Sequence, residues 1–260
     1  MAGITSSSVL FNVNQIAVTF ADDIGNSQSI FATGFWIKKD GVDYFVTNAH
    51  NVEPRMKLGS NTAYKLKKFN IFLRSKIYDC WMQDTHPCEV ANIHSYKKHI
   101  FADVIVLRDV SFVNQRESCA YSCFSFGDIA GQSFFEDRLC VTDLASFIGF
   151  PGRTGIPWYD DAWTLPIART VNVASLPQKH FSNPGIATGD VMLVSGLSFS
   201  GSSGSPVISH EKGMGHNYAP EKLIGIMSGH WWNEETDDDR FRHSGLSYLT
   251  RSTAIIDLLV

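Results

Sequence analysis

The sequence predicts an all-β protein, and three observations lead to this prediction. Charged residues make up only 18% of the 260-residue chain, below the usual share of about 25%, while apolar residues make up 44%. The apolar residues occur in short runs separated by turn residues, which is typical of strands. Apart from the last residues, no segment has a convincing apolar period of 3.6 residues. The chain is long enough to bury a substantial core in one or two domains.

The first half begins with a predicted meander of strands. The runs VLFNVNQIAVTF, SIFATGFWI and DYFVT follow one another, and Asp40-Gly41 between the last two is typical of a hairpin turn. Further strands are predicted over residues 64–73, 88–93 and 104–107.

A polar stretch over residues 109–136 separates the two halves, and we place a domain boundary within it, between 1–120 and 121–260. In the second half, strands are predicted over residues 139–150, 168–173, 190–194, 205–209 and 223–228. Residues 252–260 predict a helix with Thr250 or Ser252 as its N-cap. The acidic run NEETDDDR over residues 233–240 predicts a solvated loop.

Charge and hydropathy exclude several classes of function. The net charge is -4 and there is no basic block, so nucleic acid is not an expected partner. The uncharged stretch over residues 191–209 is rich in serine and glycine, so no membrane association is expected. No secretory signal is visible at the N-terminus, which favours a cytoplasmic protein.

The five cysteines are an odd number at irregular spacings. This pattern indicates free thiols in a reducing compartment rather than a disulfide framework. A metal site could combine His86 and Cys88 with Cys80, or Cys119 with Cys123, but neither spacing repeats as zinc-binding pairs do. We therefore expect structural thiols, no metal and no cofactor.

The most informative segment is Gly201-Ser202-Ser203-Gly204-Ser205-Pro206-Val207, in which glycines flank a serine before an apolar strand. A serine nucleophile needs a general base, and the oxyanion that it forms needs two preorganised N–H donors. The backbone N–H groups of Gly201 and Ser203 are the candidate donors. By itself this segment is equally typical of a serine-rich and glycine-rich hairpin.

Two other segments offer the partners that Ser203 would need. His50 follows the apolar strand YFV through Thr47-Asn48-Ala49, where small residues leave room for an imidazole beside a cleft. Asp103 directly precedes the buried strand VIVL, where a carboxylate can accept the Nδ1 proton of a histidine and fix its tautomer. Each residue alone is more often structural, since histidines are commonly surface residues and aspartates commonly close turns.

Taken together, the segments GFWI, YFVTNAH, ADVIVL, SGSSGSPV and IGIMSG resemble the trypsin-like (chymotrypsin-fold) serine peptidases. The resemblance covers most of the chain, and GLSYL followed by a helix is similar to the ending of bacterial and intracellular members. It implies two packed six-stranded Greek-key β-barrels with a short C-terminal helix. It also implies a catalytic triad of His50 as general base, Asp103 as its orienting partner and Ser203 as nucleophile, in the cleft between the barrels.

Departures from the family pattern affect other positions. No cysteine follows His50, and no activation cleavage motif is present. Asn48 stands where alanine is frequent, and Ser205 stands where glycine is frequent. None of these changes removes a residue that the mechanism needs.

The resemblance places a substrate-side-chain pocket between residues 197–199 and 228–230. The predicted lining residues are Leu197, Ser198, Ser228, Gly229 and His230. Leu197 argues against a preference for lysine or arginine, which would require a buried acid. His230 could bind an acidic or amide side chain, or it could be a rim residue packed beside Trp231. The acidic run over residues 234–239 could instead attract basic residues of the substrate.

These observations predict a serine endopeptidase that acts on a peptide or protein substrate. The alternative is a catalytically silent relative that binds a peptide or partner protein in the groove between the barrels. A third possibility is an enzyme that is regulated by a separate protein partner, since 260 residues leave no room for a regulatory module.

Overall fold

A computed structural model of the protein describes residues 7–53, 55–56, 63–77, 80–153, 156–157, 163–182, 189–215, 218–232 and 243–260. The fold is mostly β: of the residues that the structure describes, 52% lie in strands and 13% in helices. The acidic run predicted as a loop over residues 233–240 lies outside the described residues. In the described part of the chain, no helix has the length and apolar character needed to cross a membrane.

The first half forms one ten-stranded sheet. Its strands are β1 Val13–Ala21, β2 Ser27–Lys39, β3 Val42–Thr47, β4 Arg55–Met56, β5 Ala63–Ile77, β6 Cys80–Glu89, β7 Lys97–Lys98, β8 Ile105–Arg108, β9 Cys119–Ala120 and β10 Phe124–Ser125. Its main path runs in the order β4-β5-β1-β2-β3-β8-β7, while β6 and β9 pair with β5, and β10 pairs with β2.

The second half contains a closed six-stranded barrel in the order β11-β14-β15-β18-β17-β16. The strands of this half are β11 Leu144–Gly149, β12 Gly152–Arg153, β13 Ile156–Pro157, β14 Ile167–Val173, β15 Val191–Ser195, β16 Pro206–Ser209, β17 Lys222–Trp232 and β18 His243–Arg251. The strands β12 and β13 form a separate two-stranded sheet. The described helices are α1 Gln132–Asp137 and α2 Ser252–Leu259, with 3-10 turns at Ser7–Asn12, Ala49–Asn51, Ile93–Ser95 and Phe126–Asp128.

Most of the predicted strands are present, and the hairpin turn at Asp40-Gly41 is confirmed. Both of its residues have positive φ angles, 50° and 80°, as the tight connection between β2 and β3 requires. The C-terminal helix is also confirmed, but its N-cap residue is Arg251, not Thr250 or Ser252. The hydroxyl of Ser252 donates instead to the carbonyl of Ala130, so it ties the helix to the segment before α1.

Several elements differ from the prediction, in addition to short strands of two residues that the sequence does not indicate. Residues 7–12 form a 3-10 turn rather than the start of β1, and the polar stretch between the halves contains the short helix α1. The strand predicted over residues 88–93 ends at Glu89 and begins at Cys80, because β6 is an outer, largely exposed strand without an apolar pattern. Strand β18 was not predicted, although it pairs with both β15 and β17 and closes the barrel.

One apolar cluster, which we call the shared core, joins the two halves. It contains residues of the first sheet, of the barrel and of α2, among them Phe35, Val104, Ile148, Ile226 and Ile255. Each half also has its own apolar cluster. The shared core therefore holds the ends of β3, β8 and β16 close to one another, where the candidate catalytic residues lie.

Candidate active site

His50 and Asp103 lie at the same end of two paired strands. Strand β3 ends at Thr47, which is paired with Ile105 at the start of β8 in antiparallel register. His50 therefore follows β3 and Asp103 precedes β8 at a single edge of the sheet. His50 lies in the 3-10 turn Ala49–Asn51, and its side chain is 39% exposed, while that of Asp103 is 33% exposed.

The carboxylate of Asp103 contacts two atoms of His50. His50 Nδ1 lies 2.6 Å from Oδ2, and the backbone N–H of His50 donates to Oδ1 over 3.0 Å. An ionised carboxylate only accepts hydrogen bonds, so this contact places the ring proton on Nδ1. The lone pair of Nε2 is then on the far side of the ring, where a general base needs it.

Asn48 holds the backbone of Asp103 from the other side. Its buried amide donates to the carbonyl of Asp103 over 2.7 Å and to the hydroxyl of Ser228 over 2.9 Å. Ser228 belongs to β17 of the barrel, so Asn48 connects both halves beside the candidate site. Asn48 stood out in the sequence only as a departure from the family pattern, without a predicted role.

Ser203 lies in a turn that is docked on β2. Thr33 of β2 donates from its backbone to the carbonyl of Ser203 over 2.9 Å and from its hydroxyl to the carbonyl of Gly201 over 2.8 Å. The amide of Asn51 also donates to the carbonyl of Ser203, over 3.4 Å. Because Asn51 is the neighbour of His50, these bonds place Ser203 beside the turn that carries His50.

Glycine is required on both sides of this serine. Gly201 has a φ of +88° and Gly204 a φ of +93°. A Cβ at position 204 would lie 1.8 Å from the carbonyl oxygen of Thr33, and one at 201 would lie 2.3 Å from that of Phe150. Gly204 therefore lets the turn approach β2, and Gly201 lets it approach the segment after β11, more closely than any other residue could.

The N–H groups of Gly201 and Ser203 each share a peptide unit with a carbonyl group that already accepts a hydrogen bond. Each N–H points in the direction opposite to that carbonyl. The carbonyl of Ser200 accepts from the N–H of Gly152 over 2.8 Å, and the carbonyl of Ser202 accepts from the N–H of Ser205 over 3.0 Å. In a trans peptide the N–H points opposite to the carbonyl. Within the described part of the chain, neither N–H donates to another backbone group, so both are open to an acceptor.

Three of the predicted pocket residues lie together. Ser198 is buried, and its hydroxyl lies 3.4 Å from the carbonyl of Gly229 and 3.5 Å from Nδ1 of His230. Leu197 is exposed beside them. Ser228 differs, because its hydroxyl contacts Thr250 over 2.8 Å as well as Asn48, on the side of Asp103.

A second histidine, His243, completes this group and was missed in the sequence. Its ring stacks on His230 with the centroids 4.6 Å apart, and the N–H of Ser198 donates to its Nε2 over 3.2 Å. Burial, together with the neighbouring His243, lowers the pKa of His230 to about 4. Burial, reinforced by Arg169, also lowers the pKa of His243. The pair is thus neutral near pH 7.

Tyr248 was also missed. It is paired with Gly229 across β17 and β18, and a Cβ on Gly229 would lie 2.5 Å from its phenolic oxygen. Burial, with a smaller effect of Asp103, raises the pKa of Tyr248. The phenol therefore lies against Gly229 of the candidate pocket and is influenced by the carboxylate of Asp103. No spacing in the sequence marks Tyr248 or His243, because strand pairing alone brings them to this site.

The cysteines and acidic residues are the remaining side chains that could bind a metal ion. All five cysteines have free thiols. Among the described residues, no group of three or more His, Cys, Asp or Glu side chains is arranged to hold a metal ion.

No protein-family model matches this chain, and a search of curated protein sequences gives no significant match. The likeness to trypsin-like serine peptidases thus depends on the motifs and on the arrangement of the residues that they contain.

Proposed function

We propose that this protein is a serine endopeptidase of the chymotrypsin fold, with Ser203, His50 and Asp103 as its catalytic triad. The observation that supports this most strongly is the two-point contact of Asp103 with His50, next to a serine turn that is bonded to Asn51. In this proposal the first sheet and the barrel correspond to the two Greek-key barrels of that fold. The substrate is a peptide or protein.

The proposed mechanism uses only side chains and backbone groups of this chain. His50 Nε2 takes the proton of Ser203 Oγ while Oγ attacks the scissile carbonyl, and His50 later gives that proton to the leaving amine. Asp103 keeps the imidazole in the required tautomer and stabilises its protonated form. The N–H groups of Gly201 and Ser203 donate to the oxyanion of the tetrahedral intermediate. Water then hydrolyses the acyl-enzyme by the same steps.

Labelling with a fluorophosphonate probe tests the proposal without knowledge of the substrate. The probe phosphonylates an activated serine, so we expect label on Ser203 in the purified protein, located by mass spectrometry. Ser203→Ala should abolish the label because the nucleophile is absent. His50→Ala should reduce the labelling rate by at least about 100-fold, the usual contribution of a positioned general base.

Two variants serve as matched controls. Ser27→Ala and His94→Ala remove exposed side chains of the same types outside the candidate site and pocket, and we expect labelling at the wild-type rate. A folded protein without label on Ser203 would contradict the proposal and would favour a silent relative that binds peptides in its groove. If His50→Ala does not reduce the labelling of Ser203, His50 is excluded as the general base.

A further inference from the structure

Gly189 packs directly against the segment that leads into Asp103. It has a φ of +116°, and a Cβ at this position would lie 1.7 Å from the carbonyl oxygen of Phe101 and 3.3 Å from Cα of Ala102. Both of these atoms belong to the backbone, so the segment could not move aside as a flexible side chain does. The contact therefore fixes the distance between Gly189 and the two residues that precede Asp103.

The next residue, Asp190, anchors Gly189 in the barrel. Its carboxylate accepts hydrogen bonds from Nε of Arg251 and from the hydroxyl of Thr253, and it lies 2.8 Å from Nδ1 of His180. Its backbone carbonyl accepts from the N–H of Arg251 over 2.9 Å. Asp190 is thus bound through both its side chain and its backbone.

Arg251 is itself held firmly, with only 2% of its surface exposed. It lies at the junction of β18 and α2 and donates through Nη1 to the carbonyl of Pro177 over 2.9 Å. An ion pair that is removed from water and has its remaining donors satisfied is restricted to one geometry. The Asp190–Arg251 pair therefore gives Gly189 a defined position relative to the barrel.

The geometry of Asp103 leaves little tolerance for displacement. Its two carboxylate oxygens must meet the N–H and the ring nitrogen of His50 at 3.0 Å and 2.6 Å at the same time. A misplacement of about 1 Å at a reacting group can reduce a rate about 100-fold. The contact of Gly189 with the backbone of Phe101, two residues before Asp103, cannot be compressed. It therefore maintains this geometry.

We propose that Gly189, held by the Asp190–Arg251 pair, is a positioning residue that sets the location of Asp103 against His50. The inference rests on the proposed function, because it assumes that His50 and Asp103 act as a catalytic pair. It gives the barrel a second role besides carrying Ser203: the barrel also aligns the two catalytic residues of the first half.

Gly189→Ala tests the proposal, with Gly25→Ala as its matched control. Both glycines have a positive φ, +116° and +92°, so both variants acquire similar backbone strain, but a Cβ at Gly25 meets nothing within 4 Å. We expect Gly189→Ala to label at least about 10-fold more slowly with fluorophosphonate, since the Asp103 carboxylate is displaced. Gly25→Ala should label within about twofold of wild type, because its added methyl group projects into open space.

The pH dependence separates positioning from a general loss of structure. Removing a negative charge from the neighbourhood of an imidazole disfavours its protonated form. The midpoint of the acid limb of the labelling rate should therefore move to lower pH in Gly189→Ala and stay unchanged in Gly25→Ala. Asp190→Asn, which keeps the side-chain volume, should give a change in the same direction if Gly189→Ala does not fold.

A nuclear magnetic resonance titration of the His50 ring distinguishes the two possible failures. If the wild-type protein is not labelled, the proposed function fails, but the titration still measures whether Asp103 has moved. Even then, a titration midpoint of His50 that is lower in Gly189→Ala than in the wild-type protein supports the positioning role. Equal midpoints in wild type, Gly189→Ala and Asp190→Asn would overturn it.

Discussion

At the scale of single residues, the candidate site depends on a buried polar side chain whose amide group joins the two halves. Asn48 is fully buried, and its amide links Asp103 to Ser228. Its own carbonyl oxygen has no hydrogen-bond partner among the described residues, which is costly for a buried acceptor. The cost is compatible with the proposed function, because the same side chain holds the backbone of Asp103.

The His230–His243 pair leads to a prediction about pH and stability. The pKa of His230 is about 4 in the folded protein, below its ordinary value of 6.5, so the unfolded chain binds more protons between these values. The free energy of unfolding should therefore be highest above about pH 6.5 and should fall as the pH decreases towards 4. His243 acts in the same direction.

Urea unfolding at a series of pH values measures this effect. His230→Gln should flatten the curve between pH 6.5 and 4, and His94→Gln, at an exposed position, is the control. Carboxylates such as Asp22 contribute at lower pH: burial alone would raise the pKa of that group, but hydrogen bonds from Asn26 and the neighbouring backbone together lower it from 3.8. A wild-type curve that stays level down to pH 4 would contradict the prediction.

The three residues of the proposed triad stand out in the sequence because each lies in a short motif of local origin. Strand ends and glycine turns are encoded within a few residues, so His50, Asp103 and Ser203 are recognisable. His243 and Tyr248 could not be predicted in this way. They reach the site through the pairing of β17 with β18, and that register depends on contacts between segments distant in the chain.

At the scale of elements, strand β2 holds the serine turn through the backbone and the side chain of one buried residue, Thr33. The hydroxyl of Thr33 donates to the carbonyl of Gly201 and accepts from the N–H of Phe150 over 3.0 Å. The hydroxyl of Thr33 thus forms hydrogen bonds to both the turn before Ser203 and the residue that follows β11.

Thr33→Val tests this connection. Valine has nearly the same shape but leaves the N–H of Phe150 and the carbonyl of Gly201 without their partner. We expect a loss of about 1–3 kcal/mol in the free energy of unfolding, the usual cost of an unsatisfied buried group. Fluorophosphonate labelling should also slow, because the turn that carries Ser203 loses one of its bonds to β2.

Thr33→Ser is the matched control, since it keeps the hydroxyl and removes only a methyl group, which costs about 0.8 kcal/mol. Denaturant unfolding and labelling rates of both variants make the comparison. Equal effects of the two substitutions would show that packing, and not the hydroxyl, holds the turn.

Elements with a regular apolar pattern were predicted more accurately than those without one. Strands β2, β3 and β15 have buried, apolar central residues, and the sequence indicates them clearly. Strand β6 is mostly exposed, and β18 includes serines and Gly245 with a φ of +84°, so its sequence resembles a turn. Their β structure comes from the neighbouring strands rather than from local preference.

At the scale of the whole molecule, the shared core should make the two halves unfold together. Ile255 of α2 is fully buried in this core along with residues of both halves. Two-domain proteins can unfold in separate steps, but a common apolar cluster couples the steps. We expect a single transition in urea when tryptophan fluorescence and far-ultraviolet circular dichroism are compared.

Ile255→Ala should lower the midpoint of that transition for both probes together. Truncation of a buried isoleucine costs about 2–5 kcal/mol. Ile256→Ala, at a partly buried position on the same helix, is the control and should cost less. Two separate transitions, of which Ile255→Ala shifts only one, would contradict coupling through the shared core.

The overall architecture was predictable only in outline. Apolar runs indicate a β protein with two halves, whereas the closure of the barrel through β11 and β16 depends on pairing between residues such as Phe147 and Val207, 60 positions apart. No local pattern specifies such pairs. The sequence shows which residues of both halves are apolar. It does not show that these residues are buried together in the shared core.

The attachment of α2 to the first half has a consequence for biosynthesis. Lys39 of β2 donates to the carbonyl of Leu259 over 2.7 Å, and His99 lies 3.4 Å from Asp257. Helix α2 follows every described strand in the chain, so it leaves the ribosome after all of them. Until then the N-terminal sheet lacks part of its packing, and the loop before Asp103 lacks one support. The packing that surrounds the candidate site is therefore completed only after translation has passed α2.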